Sequence, residues 1–280
     1  MSLKKRLQER RIVVAPGIYD MVSMRIADAM GFETLYMTGF GVAASHLGLP
    51  DAGLASFADV ESRVRLLAGG KTPLIADGDT GFGGLLNVRH AIQGYEKAGA
   101  AGIQLEDQEF PKKCGHTPGR RVISAADMVK KIEVAAETRT SRDFIIIART
   151  DARSSLGLDE ALRRAEAYLK AGADVLFIES PESEAELRTI SSAFDVPLVA
   201  NMVDGGKTPI YAPKELEAMG FRIALFPVTG LLAASAALTQ AYAALKGGGA
   251  KPPLMPFADF TTMIGFPDVY DFERRHADKD

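Results

Sequence analysis

The chain holds a single cysteine, Cys114, no tryptophan and only four histidines in 280 residues. One thiol excludes an internal disulfide framework and suits a reducing compartment. His46, His90, His116 and His276 are scattered, and none ends a strand-like run, which removes a His-rich zinc centre. No stretch approaches the roughly 18 uninterrupted apolar residues of a membrane span. Basic residues are not in excess: the formal net charge is −3. With no basic stripe either, the chain lacks an electrostatic footprint for nucleic acid. Met1-Ser-Leu-Lys-Lys-Arg-Leu7 carries basic residues with no apolar segment after them, so it does not read as a secretory signal. A soluble, cytoplasmic protein is the expectation, and 47% apolar with 25% charged residues suits a globular one. The length fits one large domain, as α/β barrels often are, or two ordinary ones.

The lone cysteine sits in the most informative stretch, residues 104–116, Gln-Leu-Glu-Asp-Gln-Glu-Phe-Pro-Lys-Lys-Cys-Gly-His. A thiol beside cations has its thiolate stabilised, so its pKa falls from about 8.5 toward neutrality. Such a group can exchange protons or attack an electrophile. Free cysteines are more commonly small buried hydrophobes, but Lys112-Lys-Cys-Gly-His116 has no apolar periodicity to bury.

One local pattern recurs: a helix-like segment, a glycine, then a short apolar strand with a polar tip. Gly31 leads into Thr34–Gly39, Gly99 into Gly102–Asp107, Gly172 into Val175–Glu179, and Gly220 into Arg222–Pro227. A glycine just past a helix adopts φ > 0 without steric cost. Ile12–Pro16, Leu74–Asp77, Phe144–Arg149 and Leu198–Asn201 complete eight strand candidates. Their β-branched, nearly continuous character suits a parallel sheet covered on both faces. Helical patterns such as Ala125–Thr138 and Leu158–Lys170 lie between them. Eight strands alternating with helices predict a (β/α)8 TIM-type barrel. An open doubly wound sheet is the competitor, but no G-x-G-x-x-G follows the first strand.

The expected domain is the barrel over residues 1–246. A hinge at Gly247-Gly-Gly and a C-terminal helical extension, residues 247–280, follow it, either in the same domain or swapped onto a neighbouring subunit. Two strand-to-helix connections are long, at residues 40–56 and 108–122. Such loops cover the active-site mouth of a barrel. Residues 108–122 carry Pro111, Gly115, Pro118 and Gly119 among Lys112, Lys113, Arg120 and Arg121, without an apolar stripe. The segment is expected to sample open states and to close over an anionic substrate.

The strand ends hold the chemistry. Asp77 and Asp79, two apart, can share one face of a strand, and Glu106 ends the next strand about 4.8 Å away. Crowded carboxylates repel unless protons or a cation intervene, and few carboxylates with several waters is the Mg²⁺ pattern. Solvated acids capping helices are the plainer alternative. Other strand ends supply Arg149, Glu179 and Asn201. Arg149 could grip a substrate carboxylate bidentately, or pair structurally with Asp151 or Glu179. No predicted strand ends in lysine, which disfavours a Schiff base.

Together, Thr38-Gly-Phe-Gly41, Leu49-Pro-Asp51, Asp77-Gly-Asp-Thr-Gly-Phe-Gly83, Glu106-Asp-Gln108, Lys112-Lys-Cys-Gly-His116, Ala148-Arg-Thr-Asp151 and Asn201-Met-Val-Asp-Gly-Gly-Lys-Thr-Pro209 resemble the isocitrate lyase and phosphoenolpyruvate mutase superfamily over about residues 5–245. The compact length is similar to its methylisocitrate lyase branch. The resemblance implies Mg²⁺, with Mn²⁺ as a substitute, held by Asp77, with Asp79, Asp51 and Glu106 reaching it directly or through water. It implies a catalytic set of Cys114, Lys112, His116, Arg149 and Glu179, in which Cys114 protonates the carbanion released when a C–C bond breaks. It implies substrate contacts from Tyr36, Thr38, Gly39, Phe40, Asp51, Gly115, Arg149 and Asn201.

The activity so implied is cleavage of a 2-hydroxy di- or tricarboxylate to a 2-oxo acid such as pyruvate plus a second carboxylate, in a homotetramer. Phe177 and Leu225 match positions lining a methyl pocket in methylisocitrate lyases, whereas Phe40 replaces a glycine common there. Asn201-Met-Val-Asp-Gly-Gly206 looks more like dimethylmalate lyases and carboxyphosphonoenolpyruvate mutases. A phosphonomutase forming a C–P bond is the alternative, and an inactive dicarboxylate-binding barrel a second one.

Overall fold

The computed structural model describes residues 2–115, 117 and 119–277. Eight parallel strands, β1 (Val13–Ile18), β2 (Leu35–Met37), β3 (Leu74–Asp77), β4 (Gly102–Glu106), β5 (Ile145–Thr150), β6 (Val175–Ile178), β7 (Leu198–Asn201) and β8 (Ile223–Phe226), close into a barrel in sequence order. The last pairs with the first, Val13 opposite Ile223 and Ala15 opposite Leu225. The expected TIM-type architecture is therefore the one observed, and the open-sheet competitor is excluded by that closure.

Helices precede and separate the strands: α1 (Leu3–Arg6), α2 (Met21–Ala29), α3 (Gly39–Val42), α4 (Phe57–Leu67), α5 (Leu85–Lys97), α6 (Ala125–Thr138), α7 (Arg153–Leu156), α8 (Leu158–Lys170), α9 (Glu184–Ala193) and α10 (Pro213–Met219). Ser124 caps α6 by accepting the Asp127 amide, and each of the four glycines that lead into strands has positive φ. The connection expected as a loop at 40–56 instead opens with α3 and a π-helical turn, Ala43–Leu47. Thr38 is the reason: it leaves β2 and caps α3 through the Gly41 amide.

Period-two alternation sorts the strand side chains into two cores. Ile146, Ala148, Leu176 and Ala200 face outward and pack beneath the helices. Ile75, Ile145, Ile147, Val175, Phe177, Val199, Ile223 and Leu225 fill the barrel, with Leu3 and Leu7 in the same cluster. Continuing the inward rows by two residues gives Asp77 after Ile75, Arg149 after Ile147, Glu179 after Phe177 and Asn201 after Val199. The same alternation that fills the barrel thus aims its polar ends at the mouth.

The chain divides into two compact units at Leu231/Leu232. The eighth helix, α11 (Thr229–Leu245), crosses that division, and none of its residues is buried. The second unit, considered alone, continues with α12 (Phe257–Met263) and α13 (Phe266–His276), and exposes Leu238, Tyr242, Leu245, Phe257 and Phe272. Among the described residues no helix is long and apolar enough to cross a membrane.

Candidate active site

Asp77 ends β3 with both oxygens engaged. Oδ1 accepts from the Asp79 amide at 3.0 Å and from Gln104 Nε2 at 3.2 Å, and Oδ2 from the Gly39 amide at 3.3 Å. Gly39 has to be glycine, because a Cβ there would lie 2.8 Å from that Oδ2. Asp79 does not share a strand face with Asp77, as alternation suggested. The chain turns after Asp77, and Asp79 adopts φ 47°. The two carboxylates still meet, brought together by the turn rather than by the strand.

Lys112 is 3% exposed, and its Nζ lies 2.5 Å from Asp51 and 2.6 Å from Asp79 Oδ1, the latter off a hydrogen-bonding direction. Burial alone would push its ammonium down; Asp79, Glu106, Asp51 and Asp77 outweigh that and hold it well above the ordinary lysine value. Burial also raises the Asp77 and Asp79 carboxyls, helped by each acid's neighbours and opposed by Lys112 and Arg149. Glu106 is pushed up well above the ordinary value by burial and by Asp151 and Asp77, against Arg149 and Lys112. Its Oε1 is buried with no hydrogen-bond partner.

Arg149 realises the ion-pair alternative. It forks onto Asp151 at 2.9 Å through Nε and Nη2, and Nη1 lies 3.2 Å from Glu179 and 3.5 Å from Glu106. The guanidinium also stands 5.1 Å over the Phe177 ring. Asn201 Nδ2 donates to Glu179 at 3.1 Å, while its Oδ1 is buried and without a partner.

The described residues of the 108–122 segment are anchored to the barrel by polar groups. Gln108 exchanges two hydrogen bonds with the Lys113 backbone, at 2.8 and 3.0 Å, and pairs antiparallel with Val122. Arg120 joins Asp151 at 2.5 Å and Ser154 at 2.7 Å. Ser180, at φ 58°, donates its hydroxyl to the Gly115 carbonyl at 2.9 Å. Gly115 is so close to the barrel that a Cβ would lie 2.4 Å from Arg149 Nη2 and 2.8 Å from Glu179 Oε2. The sequence showed no apolar stripe here, and the anchors are polar and buried instead. Cys114, one residue away, is half-buried. His116 lies outside the described residues.

The structure thus brings together Asp51, Asp77, Asp79, Glu106, Lys112, Gly115, Arg149, Glu179 and Asn201, with Thr38 and Gly39 beside Asp77. Phe40 is half-buried on α3. Tyr36 is tied to Asp77 through Gln104. A carboxylate only accepts, so the Gln104 amide nitrogen must face Asp77 and its carbonyl must face Tyr36, whose single phenolic proton is donated there at 2.6 Å. Tyr36 therefore supports Asp77 from inside the barrel. Gln104 itself, fully buried, was overlooked; the signal was a polar residue inside the apolar run Gly102-Ile-Gln-Leu.

Among the described residues, no three His, Cys, Asp or Glu side chains are arranged to encircle an ion. The donor chemistry nonetheless suits a hard cation. The carboxylates of Asp51, Asp77, Asp79, Glu106, Asp151 and Glu179 outnumber the cations Lys112, Arg149 and Arg120. Glu106 Oε1 is orphaned. Few direct carboxylates completed by water is how Mg²⁺ is usually held.

Comparison with known proteins agrees with this geometry. The family model described as phosphoenolpyruvate phosphomutase matches residues 3–246. The chain is 42% identical to 2,3-dimethylmalate lyase of Eubacterium barkeri, over 99% of this chain and 97% of that one. It is 38% identical to 2-methylisocitrate lyase of Aeropyrum pernix, over 99% and 90% respectively. The solved structure of oxaloacetate acetylhydrolase with the inhibitor 3,3-difluorooxalacetate superposes with a TM-score of 0.93 at 35% identity, covering 99% of this chain and 97% of that one. A closed barrel whose inward rows end in this carboxylate and arginine cluster, matched by that family over nearly its whole length, belongs to the phosphoenolpyruvate phosphomutase family, and it is a carbon–carbon lyase of the wider isocitrate lyase superfamily.

Proposed function

We propose that this enzyme cleaves a branched 2-hydroxy di- or tricarboxylate, of the dimethylmalate or methylisocitrate kind, to a 2-oxo acid such as pyruvate and a second carboxylate, in a Mg²⁺-dependent reaction. The observation that supports the reading is the seating of Gly115 against Arg149 and Glu179, one residue from the only thiol of the chain.

Asp77 would hold the ion, with Asp79, Asp51 and Glu106 near it. When bound, Mg²⁺ supplies a Lewis acid for the oxygen that becomes the carbonyl of the oxo acid. The remaining work falls to side chains. Arg149, fixed by the Asp151 fork, would anchor a substrate carboxylate through Nη1 by exchanging its Glu179 partner for the substrate. The hydroxyl proton passes to the carboxylate cluster, where Glu106 Oε1 has no other partner. The electrons of the breaking C–C bond move to the departing carbon, which takes a proton from the Cys114 thiol. Residues 108–115, packed over the mouth, exclude water from that carbanion. Hydrolytic cleavage of oxaloacetate is the second reading, favoured by the closeness of the acetylhydrolase structure.

The test is a panel of methylisocitrate, isocitrate, dimethylmalate and oxaloacetate, with pyruvate followed by coupling to lactate dehydrogenase and oxalate followed for oxaloacetate, with and without chelator. Pyruvate from a branched hydroxy acid, lost on chelation and restored by Mg²⁺, supports the proposal. Full activity after chelation would refute the metal. Turnover of none of these acids, with a C–P bond detected by phosphorus NMR from phosphoenolpyruvate, would replace the lyase by a mutase. The same reading expects a homotetramer, which the exposed apolar side chains of the second unit support.

A further inference from the structure

The turn carrying Asp79 is strained. Asp79 and Phe82, neither a glycine, have φ of 47° and 60°, and Gly81 and Gly83 between and after them are also positive. Such conformations are unfavourable for residues with a Cβ and persist only where the surroundings over-determine them. Three of the restraints come from the barrel and the turn itself. The Gly78 amide donates to the Gln104 carbonyl at 2.8 Å, the Gly81 amide to the Gly78 carbonyl at 2.9 Å, and the Glu106 amide to the Asp79 carbonyl at 2.9 Å.

The fourth comes from outside the barrel. Lys131 on α6 donates through Nζ to the Thr80 carbonyl at 2.7 Å. A lysine on a surface-facing helix ordinarily extends into water or pairs along the helix. Here Asp127, one turn earlier, already accepts from the Ser124 hydroxyl at 2.7 Å, and among the described residues no carboxylate lies within ion-pair distance of Lys131. Its half-buried ammonium is spent instead on a backbone carbonyl next to Asp79, in a turn where Thr80 is 3% exposed.

We propose that Lys131 is a positioning residue: by holding the Thr80 carbonyl it fixes the strained turn that presents the Asp79 carboxylate to Lys112 and to the cation site. The inference rests on the Mg²⁺ reading above for its effect on metal affinity, and on the turn geometry alone for its effect on order. Groups that orient metal ligands without touching the metal typically change affinity by about 10–100-fold when replaced.

Three proteins test it: wild type, Lys131→Met, which keeps the stem but removes the donor, and Lys131→Arg, which keeps a charged donor. Mg²⁺ binding is measured calorimetrically and backbone hydrogen exchange of residues 78–83 is followed without metal. Lys131→Met should weaken Mg²⁺ about 10-fold or more and speed exchange in 78–83, with α6 and the strands unchanged; Lys131→Arg should restore most of both. Should Lys131→Met not fold, Lys131→Leu, which also lacks a donor, takes its place. Unchanged exchange in the turn, or equal losses in the Met and Arg variants, would overturn the inference. Failure of wild type to bind Mg²⁺ would overturn the metal reading instead, and the exchange contrast would still decide the role of Lys131.

Discussion

Replacing Gly115 by alanine tests whether residues 108–122 must seat against the mouth for turnover. The new Cβ would start 2.4 Å from Arg149 Nη2 and 2.8 Å from Glu179 Oε2. Ordinary contact needs roughly 1 Å more. Arg149 cannot easily retreat, because its fork onto Asp151 is buried and both bonds are 2.9 Å; breaking a buried pair costs about 3–5 kcal/mol. Lifting the segment is cheaper, at the roughly 1–3 kcal/mol typical of overpacking. If that cost falls on the seated, reactive state, kcat/KM drops by about 5- to 150-fold, at 1.36 kcal/mol per decade. The assay is steady-state kinetics on the substrate identified from the acid panel, paired with a melting curve. The melting midpoint should stay near that of wild type, since a lifted segment relieves the clash. Wild-type kcat/KM in Gly115→Ala would refute the seating argument. A loss of activity accounted for by a large fall in melting temperature would assign Gly115 to packing.

Cys114→Ala and Cys114→Ser should lower turnover by about 10²-fold or more, the usual scale for a general acid; wild-type turnover in either would remove the thiol from the mechanism. Acid stability should carry a signature of Glu33, whose carboxyl is held below the ordinary value first by hydrogen bonds from Arg6, at 2.5 and 3.0 Å, and by the charges of Arg6 and Arg11. A lowered folded pKa adds stability that is present above the unfolded pKa and disappears as pH falls through the folded one. The melting-temperature gap between wild type and Glu33→Gln should therefore be open at neutral pH and close in acid, modestly because Glu33 is partly exposed; a gap independent of pH would contradict the pairing.

Much of the fold was legible because its signals are local. The apolar runs, the glycine before four strands and the helical stretches 125–138 and 158–170 depend on neighbouring residues and on backbone sterics, and both helices fall where the periodicity put them. Asp77, Glu106, Arg149, Glu179 and Asn201 were legible for a related reason. Each continues an apolar run by one alternation, so in a barrel each must reach the mouth.

What the sequence left open depends on partners far away along the chain. Lys112, placed in the catalytic set by the resemblance alone, is buried between Asp51 and Asp79. Asp79 read as a strand neighbour of Asp77, and nothing in the local pattern marked the bonds that Lys131 and Tyr36 make. In each case the deciding bond spans a distant or strained piece of backbone: Thr80 for Lys131, Gln104 for Tyr36, and a left-handed turn for Asp79. α11 belongs with these, since its apolar composition comes with no buried residue. Residue type and spacing determine which groups are available at the mouth. Only the folded barrel, which sets Lys112 against Asp51 and Asp79 and Arg149 among Glu106, Asp151 and Glu179, decides which of them neutralise one another, because a charge in a buried site takes its state from its neighbours in space.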